Sequence, residues 1–179
     1  MRGRRGASRP VTVALAALVS SAASAKALRA QDIPPPALAL VVGAAQYDLS
    51  GTGTVPFVAL RLDLPMSEHL YVEPGFAYMA YSLPVGDRVR HVSAEIQLQG
   101  SLSFGRWNPY LGAGAGGFFD LRKQRGGADL AQPAFSGAGG VRVELPASLG
   151  ARAELRIREI DTGFTGSVAE WGVGLSWSF

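Results

Sequence analysis

The stretch Val89 to Phe104, VRHVSAEIQLQGSLSF, restricts the fold more than any other part of the chain. His91, Ser93, Glu95, Gln97, Gln99, Ser101 and Ser103 fall on alternate positions, and Val92, Ala94, Ile96, Leu98, Gly100, Leu102 and Phe104 fall between them. A period of two over so many residues is the pattern of a β-strand whose faces meet different surroundings. The pattern recurs: Arg152, Glu154, Arg156 and Arg158 alternate with Ala151, Ala153, Leu155 and Ile157, and Arg61 and Asp63 alternate with Val58, Leu60, Leu62 and Leu64. From Ala37 onward no 3.6-residue pattern lasts beyond a turn, so the body is predicted to be all-β.

Strands are expected near Ala37 to Tyr47, Val55 to Leu64, Leu70 to Ser82, Val89 to Phe104, Pro109 to Leu121, Ala134 to Leu145, Leu149 to Ile160 and Val168 to Phe179. The connections alternate between short turns (PMSEH, GRWN, PAS) and longer polar ones (DLSGTGT, LPVGDR, LRKQRGGADLAQP, DTGFTGS). An even number of strands with short turns at one end and longer loops at the other predicts an eight-stranded antiparallel up-and-down transmembrane β-barrel. A soluble up-and-down barrel shares this plan with the faces inverted. Three features favour the membrane form. The strands exceed the roughly 5 or 6 residues of soluble sheets and reach the roughly 9 to 11 of a tilted bilayer crossing. Aromatic residues gather near strand ends, at Tyr47, Tyr71, Phe104, Trp107, Tyr110, Phe118, Phe119, Trp171, Trp177 and Phe179, as interfacial girdles require. Gly112, Gly114, Gly116, Ala138 and Gly140 share the inward parity and leave room for the arginines of the seventh strand.

The lumen is thus expected to hold Arg61, Asp63, Glu73, Glu95, Arg142, Glu144, Arg152, Glu154, Arg156, Arg158 and Glu170, because unpaired charges in a narrow interior are costly. Hairpin neighbours predict Arg61 with Glu73, Arg142 or Arg152 with Glu144, and Arg158 with Glu170. Pro74, which removes a ladder donor, is expected with Gly75 to form a bulge. His69 is expected to be a solvated turn residue.

The first 31 residues form a signal-peptide region: Arg2, Arg4, Arg5 and Arg9, an apolar run from Val11 to about Ala23, then small-residue cleavage sites between residues 25 and 31. Residues 32–36 form a linker and residues 37–179 the barrel. Six of the 17 basic residues and none of the 14 acidic ones precede Asp32, so the remainder carries 11 against 14, a net of −3. A nucleic-acid partner is not expected at that charge. There is no cysteine, so no disulfide and no thiolate metal site is available, and neither a metal nor a cofactor is expected.

On the residues YVEPGFAYMAY, NPYLGAGAGGFF and WGVGLSWSF, the chain resembles the small outer-membrane β-barrel proteins of Gram-negative-type envelopes, the group that includes OmpA-like and OmpX-like barrels. The resemblance implies an outer-membrane location and contact with membrane lipid and lipopolysaccharide. It also implies a monomer, and a last strand recognised by the barrel assembly machinery through Trp171, Val173, Leu175, Trp177 and Phe179. It implies a structural or surface-interacting role, with Arg122, Lys123 and Arg125 of the longest loop available to lipid phosphates. No wall-binding module follows Phe179, so anchoring in the full OmpA manner is not expected. Two other roles occur among such barrels. One is an OmpW-like conduit for small molecules. The other is a lipid A deacylase of the PagL type, for which RHVSAE supplies His91, Ser93 and Glu95; a serine hydrolase needs a base beside its nucleophile and an acid beyond. By parity these three face the lumen, away from any acyl chain, so catalysis is not expected.

Overall fold

The computed structural model describes residues 33–47, 53–82, 88–121, 131–160 and 166–179; the expected signal-peptide region, most of the long loops and Arg122, Lys123 and Arg125 lie outside them. Eight strands run in chain order: β1 (Ala37–Tyr47), β2 (Thr54–Pro65), β3 (Leu70–Ser82), β4 (Arg88–Ser101), β5 (Trp107–Asp120), β6 (Ala131–Glu144), β7 (Leu149–Ile160) and β8 (Gly166–Ser178). Each pairs antiparallel with the next, and β1 pairs with β8, so the sheet closes on itself and has no edge.

The turns explain where strands end. Gly105, at a φ of 63°, and Arg106 form a two-residue turn closed by reciprocal bonds between Phe104 and Trp107 (2.8 and 3.2 Å). Glycine at the first of two central positions is the requirement of a type II′ hairpin. β4 ends at Ser101, three residues before the expected limit, and Ser103 is exposed beyond the wall rather than turned inward. Ala147 and Ser148 of the β6–β7 turn both take positive φ (63° and 60°) without being glycine. β6 starts at Ala131 rather than Ala134, which shortens the longest loop.

The expected bulge at Pro74 is absent. Arg61 lies opposite Gly75, Leu64 lies opposite Val72, and no residue is inserted between them; on the other side Pro74 pairs with Ile96 in an unbroken register. Between Arg61 and Leu64 the bridges of Leu62 and Asp63 with Pro74 and Glu73 are missing. Proline has no N–H to give the Leu62 carbonyl, so one ladder bond is lost without a change of register. Pro74→Ala should supply that donor and raise the unfolding free energy by about 1 kcal/mol in a urea titration in lipid. The added bond outweighs the rigidity lost with proline because an unmet acceptor inside a membrane wall is costly. An unchanged or lowered midpoint would refute this account.

The alternation resolves into an apolar outside and a filled inside. Leu40, Leu60, Ile96, Leu98, Leu155 and Leu175 are exposed, while Arg61, Glu73, Gln97, Arg156 and Arg158 are almost wholly buried. The interior has two tiers. Toward the longer loops it is mainly apolar, built of Val41, Phe57, Ala59, Met79, Phe118 and Val168, with His91 and Ser93 buried opposite Met79 and Phe118. From mid-barrel to the short turns it is polar. A side chain at Gly43 would come within 2.8 Å of the Phe57 ring, so glycine there makes space for the aromatic plug of the upper tier.

Candidate functional site

The polar tier is the one concentrated chemical feature among the described residues, and it is assembled from every strand from β2 to β8, with Tyr110 the contribution of β5. Five arginines (61, 142, 152, 156, 158) face five carboxylates (Asp63, Glu73, Glu95, Glu154, Glu170). Arg156 Nη2 lies 3.0 Å from Glu73 Oε1, its Nε donates to Glu154 Oε1 at 3.1 Å, and its other nitrogen pairs with Glu95. Arg152 Nη2 reaches Glu73 and Glu154 at 2.8 and 2.7 Å. Arg61 approaches Glu73 at 3.7 Å, Glu95 at 3.5 Å and Glu154 at 3.1 Å. Arg158 joins Glu95 (3.1 Å) to Glu170. Every basic member is arginine. A guanidinium presents five donors in a fixed fork and so bridges several carboxylates at once, which a lysine ammonium does less well.

At the short-turn end Arg142 makes a two-pronged contact with Asp63, Nε to Oδ2 and Nη2 to Oδ1, each 3.1 Å. Its guanidinium also lies 4.1 Å from the Tyr110 ring centroid and 5.0 Å from that of Tyr71, the geometry of a cation–π contact. Tyr110 donates to Glu154 Oε2 (2.6 Å) and accepts from Arg152 Nη2 (2.8 Å). Gln99 donates to Gln97 Oε1 (2.6 Å), and Gln97 donates to Ser136 Oγ (3.4 Å).

Of the predicted pairs, Arg61 with Glu73 and Arg158 with Glu170 form. The pairing of Arg142 or Arg152 with Glu144 does not. Glu144 is exposed at the strand end and accepts from Asn108 Nδ2 (3.0 Å), while both arginines turn inward to carboxylates on β2 and β3. The glycines of β5 make room chiefly for β4: a Cβ at Gly112 would lie 2.7 Å from Gln99 Cγ, and one at Gly116 2.7 Å from Glu95 Cβ. On β6, Ala138 does stand opposite Arg156. Tyr110 and Phe118 point inward instead of joining an outer girdle. Tyr110, Gln97 and Gln99 are network members that charge counting misses. The inward parity shared by Tyr110 and the β5 glycines is the signal that finds Tyr110.

His91 and Ser93 are buried on the inner face near the upper tier, with the His91 ring centroid 4.8 Å from that of Phe118. Glu95, two residues on, belongs to the arginine network. His69 is exposed in its turn, its amide donating to Ser67 Oγ (3.4 Å). Trp171, Val173, Leu175, Trp177 and Phe179 all face outward and are exposed. Among the described residues no group of three or more His, Cys, Asp and Glu side chains is arranged to hold a metal ion.

Comparison with curated protein sequences finds no match. Among solved structures, Neisserial surface protein A is similar at a TM-score of 0.68 and 14% identity, covering 80% of this chain and 97% of that one. The attachment invasion locus protein Ail of Yersinia pestis is similar at 0.57 and 11%, covering 82% and 99%. The outer membrane enzyme PagL is similar at 0.54 and 12%, covering 80% and 99%. Such identities bear on the fold. The family model for the outer membrane protein beta-barrel domain matches residues 13–179, and with the closed barrel and its apolar exterior this makes the chain a member of the outer-membrane β-barrel family.

Proposed function

We propose that this barrel is a structural or surface-interacting element of the outer membrane that neither catalyses a reaction nor conducts ions. The observation that carries the reading is the filled lumen. Five arginines and five carboxylates occupy its polar tier, and Val41, Phe57, Met79 and Phe118 occupy the tier above. A narrow apolar constriction excludes water and with it hydrated ions, and eight strands enclose a space just wide enough for side chains. Incorporated into planar bilayers, the protein should give no single-channel steps; steady unitary currents would overturn the proposal.

The absence of catalysis rests on direction. A lipid ester lies outside the wall, whereas His91 and Ser93 are turned to the lumen and Glu95 is held by arginines. Lipid A from cells carrying the wild-type chain or Ser93→Ala should have the same acyl pattern by mass spectrometry, and a difference would restore the deacylase reading. In this proposal the chain is exported through its N-terminal signal segment and works as a monomer. Trp171, Val173, Leu175, Trp177 and Phe179 engage the assembly machinery, and the long loops meet lipopolysaccharide or another surface. Two of the similar barrels are by name a surface protein and an attachment protein, which accords with that role.

A further inference from the structure

The lipid-facing wall is not uniformly convex. On β6 and β7 the outward positions Gly137, Gly139, Ala151 and Ala153 are small, while Leu111, Leu155, Trp171 and Leu175 stand out around them. The surface between sinks into three hollows of about 810, 580 and 540 Å³, each within the roughly 300–1,000 Å³ of ligand clefts. They adjoin one another: the first and second share Gly139 and Leu155, the second and third share Val141 and Ala153. Together they make an apolar furrow whose third hollow reaches Trp107, next to the exposed Arg106 at the tip of the β4–β5 turn. The turn is pinned beside β6, since the Glu144 amide donates to the Arg106 carbonyl (2.9 Å). The Glu144 carboxylate is itself occupied by Asn108, and Arg106, adjacent in sequence to Trp107, is an exposed cationic residue at this end of the furrow.

We propose that the furrow seats one glycerophospholipid of the leaflet at the short-turn end, with its acyl chain along Ala151, Ala153 and Gly139 and its phosphate on Arg106. An apolar trough with a cation at its interfacial end complements an amphiphile that is apolar along its length and anionic at its head. Guanidinium binds phosphate through two parallel charge-assisted bonds, and Trp107 suits the wet boundary between head and chain. A second copy of the barrel fits less well. A two-fold pairing through the furrow, about an axis along the membrane normal, brings its own surface against itself and sets the two Arg106 charges at the same depth with no anionic partner between them. In outer-membrane barrels the short turns face the periplasm, so the leaflet concerned is the inner one.

The test is native mass spectrometry of the full chain, refolded in mild detergent and titrated with phosphatidylglycerol, with folding checked by heat-modifiable gel mobility. The wild type should retain one lipid under activation that strips the others. Arg106→Gln and Ala153→Leu should each lower that occupancy by about tenfold, as for loss of a charge-assisted phosphate contact. Ala94→Leu, at a small outward position on β4 away from the furrow, should leave it unchanged. A diacylglycerol, which lacks the phosphate, should bind the wild type no better than Arg106→Gln. Equal retention by wild type and Arg106→Gln, or an equal loss in Ala94→Leu, would overturn the proposal. Arg106 is a turn residue outside the wall, so its substitution keeps the test available even if Ala153→Leu does not fold.

Discussion

Arg156→Ala should lower the unfolding free energy by about 3–5 kcal/mol, the cost of removing one partner from a buried ionic cluster. Arg156 is fully buried and touches Glu73, Glu95 and Glu154 together, with Gln97 at 3.3 Å. Without it the lumen holds one negative charge more than positive, in a place water reaches poorly. Arg156→Lys should recover less than half of the loss, because an ammonium keeps the charge but cannot span three carboxylates. Urea titrations of the barrel in lipid, followed by tryptophan fluorescence, would measure both. A loss in Arg156→Ala below about 1 kcal/mol, the scale of an exposed ion pair, would mean that solvent enters the lumen and that the network is not a plug.

The reach of that cluster also marks what could be read from the sequence. Strand number, pairing order and facing followed from runs such as Gln97-Leu98-Gln99, because a two-residue period separates the environments of the two faces at every step; β1, β3 and β7 have the expected limits. Pairs within one hairpin followed too, as with Arg158 and Glu170, which are 12 residues apart. Contacts across the lumen did not. Arg152 meets Glu73 at a separation of 79 residues and Arg142 meets Asp63 at the same distance along the chain, because long guanidinium side chains span a narrow barrel to strands that are not their neighbours. The apolar tier is not legible in the alternation for another reason. Phe57 and Ala59 share a face with Arg61 and Asp63, so a reading that gives each face one character overlooks a change of composition partway along the strand. Pro74 departs from the expected bulge because a missing N–H removes one bond, whereas a bulge needs an extra residue.

The inverted facing makes the second large prediction, and depth makes it specific. Leu155 is an outward residue near the middle of β7, and Leu149 is an outward residue at its short-turn end; both are about half exposed. In water the exteriors of these two positions would be equivalent, and arginine would be tolerated at each within about 0.5 kcal/mol. Across a bilayer they differ: Leu155→Arg should cost about 2–4 kcal/mol near the midplane and Leu149→Arg about 0–1 near the interface. The contrast arises because an arginine at the centre must carry its charge far through hydrocarbon to reach headgroups, while one at the strand end reaches them directly. Paired urea titrations in phospholipid vesicles give the difference between the two variants. A difference of at least about 1.4 kcal/mol, tenfold in the folding equilibrium, is the expected result. Equal costs would show that Leu155 does not lie in the apolar middle of a membrane, and the assignment of the exterior to lipid would fail with it.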